Sequence, residues 1–235
     1  QADGSYLATG ANVDFDTYTL VAETYVPSLR ALRLDALPDP SMTRGGPGRA
    51  ANGNFALGSL AVSAEPLDRS KPAAPVKLVK PRATFEQNNS SLSIAASLDT
   101  DPKSGWAIDP QFGKPQAAAF DFAEPVGYPQ GTRLTVTLKF TVNNQHNLGR
   151  TRLAITSAAE PLPLDAAPRS QQQTELLAEL DRTAGDLPAA LRQRALAWYR
   201  GQEPEWVALS DKLAKHDATK PQPKKTQVMV VSENV

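Results

Sequence analysis

The sequence predicts a mainly β chain: an antiparallel jelly-roll β-sandwich over residues 1–160, followed by a C-terminal helical strap. Three observations predict it. Apolar residues recur chiefly with period two from Tyr18 to Thr156, Gly- and Pro-rich turns separate the runs, and the period becomes helical after Pro161. At least six short strands punctuated in this way imply two packed antiparallel sheets.

Arg133 to Val142 is the clearest strand. Leu134, Val136, Leu138, Phe140 and Val142 share one face, with Arg133, Thr135, Thr137, Lys139 and Thr141 on the other. Leu32 with Leu34, Val76 with Leu78, Ala118 with Phe120 and Phe122, and Leu153 with Ile155 mark further strands. Phe55 and Leu57 lie on one phase and Leu60 and Val62 on the other. A β-bulge at Gly58-Ser59 would absorb that slip.

Residues 161–216 read as helical. Thr174 to Arg182, Pro188 to Arg200 and Pro204 to His216 are amphipathic, with Pro near the first turn of the last two and Gly201 ending the second. Residues 217–235 read as an extended linker and a terminal strand, Thr226 to Val231, leading to a following domain. The chain opens without an initiator Met, so it reads as a segment of a longer protein.

The 235 residues suffice for a sandwich with a helical appendage. Lys+Arg 25 against Asp+Glu 25 leaves no net charge, which argues against nucleic acid as a partner. With no cysteine there is no disulfide, thiolate metal site or covalent haem attachment within the chain. No apolar run approaches the roughly 18 residues of a membrane span.

Two loops and a hairpin draw attention as candidate ligand sites. Asp99 and Asp101 lie in a short acidic turn just before Gly105-Trp106, where carboxylate oxygens and an indole face would grip a sugar. The same two carboxylates are candidate ligands for a structural calcium, although that ion takes about 6 to 8 oxygens and the spacing is not that of an EF-hand. The competing reading makes the acids a turn and Trp106 a core residue. In the loop from Gly45 to Asn54, the glycines permit positive φ and close backbone approach. Arg49, Asn52 and Asn54 offer donors there, and no Walker pattern follows. His146 and Arg150 belong to a polar hairpin between two strands, at a rim where ligands are met. Neither an HExxH nor a GxSxG motif is present, and isolated loop acids such as Glu86, Asp99 and Asp109 are usually solvated, so no catalytic residue is expected.

As a set, several segments resemble a known context. Asp16-Thr17-Tyr18-Thr19, Gly46-Pro47-Gly48-Arg49, Asn52-Gly53-Asn54-Phe55, Gly105-Trp106-Ala107-Ile108 and Leu148-Gly149-Arg150-Thr151 resemble the region between the two large uncharacterised domains of planctomycete-type c-type cytochrome proteins. That resemblance implies a haem-free middle domain, with haem held elsewhere in the polypeptide, in a periplasmic, cell-surface or secreted protein. The Ala83 to Trp106 stretch is similar, more weakly, to discoidin or galactose-binding jelly rolls, with Asp99-Thr100 where their turn has Asp-Gly. This second similarity implies glycan binding and a structural calcium. The sequence thus favours a non-catalytic polysaccharide-binding module of a larger cytochrome protein, with a spacer or docking domain between flanking domains as the alternative.

Overall fold

The computed structural model describes residues 1–159, 161, 163–164, 171–183, 186–201 and 204–219. They fall into two compact units, Gln1–Pro168 and Arg169–Val235. The division lies eight residues beyond the boundary expected at 160.

The first unit is built from antiparallel sheets in a sandwich-like arrangement. Its strands are β1 (Tyr6–Leu7), β2 (Thr17–Thr24), β3 (Leu29–Ala36), β4 (Ala56–Leu57), β5 (Ser59–Pro66), β6 (Ala74–Val76), β7 (Leu78–Ala83), β8 (Trp106–Ala107), β9 (Gln116–Val126), β10 (Thr132–Lys139) and β11 (Arg150–Thr156). Five form a sheet in the order β1-β11-β3-β9-β7, four a second sheet in the order β2-β10-β5-β6, and β4 pairs with β8.

The alternation of β10 dictates this packing. Leu134, Val136 and Leu138 lie opposite Ala64, Val62 and Leu60 of β5, and all six are buried. Leu32 and Leu34 of β3 lie opposite Phe120 and Ala118 of β9, and they join the same hydrophobic core. Period two puts each set on one face of its sheet, where burial removes about 25 cal/mol per Å² of apolar surface from water.

The phase slip at Gly58-Ser59 falls where the chain changes partner: β4 pairs with β8 while β5 belongs to the four-stranded sheet, and Lys139, opposite Ser59, also accepts from the Gly58 amide at 2.8 Å, two residues facing one as in a bulge. A Cβ at Gly58 would stand 2.3 Å from the Thr141 hydroxyl, so the chain changes partner at a residue with no side chain. Likewise Val76 and Leu78 belong to different strands, β6 and β7, in different sheets.

The second unit holds α1 (Gln171–Arg182), α2 (Ala189–Arg200) and α3 (Pro204–Ala218). α1 begins three residues before the expected start, and α3 continues two residues past His216 into the expected linker. Arg194 of α2 pairs with Glu179 of α1 at 2.6 Å, and the Arg200 guanidinium lies 4.7 Å from the Trp206 ring centre. The strand expected at Thr226 to Val231 lies outside the described residues. No described helix is long and apolar enough to cross a membrane.

Candidate binding cleft and open strand edge

Trp106, expected as an exposed sugar platform, is buried completely. Its indole N–H donates to the Phe85 carbonyl at 2.8 Å, and its ring meets Phe55 edge-on with centroids 4.9 Å apart. It therefore presents no face to a ligand. The physical reason is the β4-β8 ladder, which opposes Leu57 to Trp106 and turns the ring into the core.

The acidic turn is occupied by its own contacts. Both Asp99 oxygens accept from the Ser104 hydroxyl, at 2.7 and 2.9 Å, and Asp99 Oδ1 also accepts from the Asp101 amide. Asp101 Oδ1 accepts in turn from the Lys103 amide at 2.9 Å. These are successive Asx turns, which shape the approach to Gly105. Among the described residues, no group of three or more His, Cys, Asp or Glu side chains is placed to hold a metal ion.

Asn54 and Asn52 are likewise structural. Buried Asn54 donates to Gln87 Oε1 at 3.2 Å and its Oδ1 accepts from the Ile108 amide at 3.1 Å, and Asn52 Oδ1 accepts from the Asn54 amide. Arg150 divides its guanidinium among Ser5, Asp3 and Asp39, at 2.8, 2.8 and 3.4 Å. Partial burial pushes the Asp3 carboxyl up. Its hydrogen bonds from the Ser5 hydroxyl and amide, with the Arg150 charge, outweigh that and hold it below its ordinary 3.8. Asn54 and Arg150 are thus committed to contacts within the fold.

The glycine loop, the hairpin of His146 and the segment around Asn12 do meet at one end of the unit. The Arg49 amide donates to the Asn147 carbonyl at 2.9 Å, the Ala56 amide to the His146 carbonyl at 2.9 Å, and Asn12 Nδ2 to the carbonyls of Arg49 and Gln145. His146 is half-buried, with Nδ1 2.8 Å from the Asn144 carbonyl oxygen. Fully buried Asn147 fastens the assembly, donating to Asn12 Oδ1 and the Val13 carbonyl and accepting from the Asp16 amide.

Beside this end, between β1 and β2, opens a cleft of about 570 Å³ whose lining includes Tyr6, Thr9, Asp16, Tyr18, Leu20 and Arg49. Each strand is the terminal strand of its sheet, so the cleft is the lateral mouth between the two. Arg49 is the one expected ligand residue that reaches it, with Nη2 donating to the Gly10 carbonyl at 2.6 Å. The Tyr18 hydroxyl donates to the Leu148 carbonyl at 2.8 Å. Burial pushes this phenol up, against the opposing pull of Arg49.

Sequence reasoning missed the cleft. Asp16-Thr17-Tyr18-Thr19 stood out as a motif, but nothing in a sequence says which strands end a sheet.

Along the same opening runs the outer edge of β2, which pairs with no further strand among the described residues and is flanked by exposed Phe15 and Val26, with Val21 exposed on the strand and Tyr25 just beyond it. Comparison of the chain with protein-family models, curated proteins and solved structures finds no match.

Proposed function

We propose that this chain is a non-catalytic docking domain of a larger exported c-type cytochrome protein, and that it docks by strand pairing at the β2 edge. One observation carries this reading: β2 is eight residues long, ends its sheet, and contains neither Pro nor Lys nor Arg. Such an edge is a template for an added strand. The cleft beside it can receive side chains of that strand. The proposed context rests on the ordered motifs shared with the planctomycete-type proteins.

The fold we propose is a jelly roll. Its support is the nesting of strand pairs β1/β11, β2/β10, β3/β9 and β5/β6, the pattern of one long ribbon folded over itself. Amide exchange tests the function, measured across a concentration series of the chain and with the polypeptide segments that flank it in the parent protein. Protection of Thr19, Val21 and Glu23 that grows with concentration or with those segments is the expected result, and exchange that neither alters would refute the docking role.

Polysaccharide binding, the role the sequence favours, becomes the second reading because Trp106, Asn54 and Arg150 are committed to the fold. The cleft still supports it. Tyr6 exposes its ring, Asp16 offers acceptors and Arg49 donors, which suits a hydroxyl-rich ligand. Affinity electrophoresis on immobilised polysaccharides, with Tyr6→Ala as the comparison, tests it: retention lost in the variant supports the reading, and no retention by the native chain rejects it.

A further inference from the structure

We infer that the β2 edge pairs with the β2 edge of a second copy of this chain, in an antiparallel register centred on Val21. The inference rests on the docking reading and names the partner of that same edge.

The four terminal strands of the two main sheets differ in one respect. β1 has two residues, β6 has three including Pro75, and β7 is interrupted at Lys80, whose φ is +49°, and Pro81, where its pairing with β9 shifts. Short strands, prolines and irregularities are the devices that keep edges from pairing. β2 has none of them.

The backbone fixes which groups face outward. The Phe140 amide donates to the Asp16 carbonyl and the Gly58 amide to the Lys139 carbonyl, so even-numbered β10 residues bond toward β2 and odd-numbered ones toward β5. Tyr18, Leu20 and Ala22 therefore pair with β10, and Thr19, Val21 and Glu23 aim their N–H and C=O groups at the open edge. The Thr17 amide is already taken by Asp16 Oδ1 at 2.8 Å, which shifts the pairing centre away from Leu20 and onto Val21.

About that centre, Val21 opposes Val21 of the second copy, Thr19 opposes its Glu23, and Thr17 opposes its Tyr25. Each face then continues across the join. The exposed apolar ends also meet, since Phe15 comes opposite Pro27 and beside Val26 of the second copy.

Charge complements the register. The single charged side chain of β2, Glu23, is held by Arg133 at 2.7 Å and lies opposite a threonine, so like charges are not opposed. The chain itself carries no net charge to repel its copy.

Sedimentation velocity on the full chain tests the inference, together with Val21→Lys and with pyrene attached at Val21→Cys or, as a control, at Ser70→Cys. The chain has no other cysteine, so each label is unique. A concentration-dependent dimer is expected, abolished by Val21→Lys with the melting curve of the dilute, monomeric chain unchanged, and showing pyrene excimer emission from position 21 but not 70. A chain that stays monomeric to millimolar concentration overturns it, as does a dimer that survives Val21→Lys or gives no excimer at position 21. A monomer whose Thr19, Val21 and Glu23 amides are still protected by the flanking segments sinks self-pairing alone. A monomer without that protection sinks the docking reading as well.

Discussion

The indole of Trp106 donates its N–H to the carbonyl of Phe85 at 2.8 Å, in a site with no exposure to solvent. This one contact joins β8 to the segment after β7, and the ring packs edge-on against Phe55 within the core. Trp106→Ala should therefore cost about 3 to 5 kcal/mol, from lost transfer and the cavity left behind. Trp106→Phe should recover part of that and leave the Phe85 carbonyl unpaired, at about 1 to 3 kcal/mol. Urea unfolding of both variants checks the ordering, and a shift of only a few tenths of a kcal/mol in the alanine variant would contradict the burial.

Asn147 should matter more than its place in a polar hairpin suggests. Its side chain bonds Asn12, Val13 and Asp16, the lead-in to β2. Asn147→Ala removes a fully buried side chain and its three hydrogen bonds and should cost about 2 to 4 kcal/mol, with amide exchange faster at Asp16 and across the 10–16 loop than in β9. Uniform loss of protection throughout the sheets would mean that the residue stabilises the fold generally rather than anchoring this segment.

How much of this was legible in the sequence depends on what each residue's period could report. β10 was legible because its alternation is unbroken, and the helices because Pro and Gly punctuate them. β2 escaped notice because exposed Val21 sits out of phase with inward Tyr18 and Leu20, as an edge strand allows. Trp106 was assigned to the site because an acidic turn before an aromatic residue looks the same whether the ring goes in or out. Its direction is decided by the β4-β8 ladder, a contact between positions about fifty apart.

Acid should loosen the N-terminal strand first. The Ser41 hydroxyl and amide, with Arg150, hold the Asp39 carboxyl below its ordinary 3.8, and Asp3 is also held low. A carboxyl whose folded value lies below the unfolded one contributes stability above the unfolded value, and that contribution fades as pH falls through the folded value. Stability should thus decline as pH drops below about 3.8, more steeply in the native chain than in Arg150→Gln. Unfolding midpoints measured between neutral pH and strong acid check this, and parallel curves for the two proteins would deny Arg150 the role.

The glycine loop offers the sharpest local prediction, because its glycines are required for two different reasons. Gly53 has a φ of +86°, which a side chain would strain, and a Cβ there would also stand 2.6 Å from the Thr43 carbonyl oxygen, whereas Gly48 has an ordinary φ. What Gly48 lacks is room: a Cβ there would fall 1.8 Å from the Asn54 carbonyl oxygen, inside the turn where the Gly48 amide donates to the Gly53 carbonyl at 3.0 Å. Backbone cannot swing aside as a flexible side chain does, and Asn54 is tied to Ile108 and Gln87. Gly53→Asn should lower the melting temperature, for although asparagine tolerates the left-handed region its Cβ must push the Thr43 carbonyl aside. Gly48→Ala should displace both the Asn54 carbonyl and the Phe55 amide and lower the melting temperature more. Thermal melts of the two variants compare them directly, and equal small losses would show that the loop yields to the added methyl.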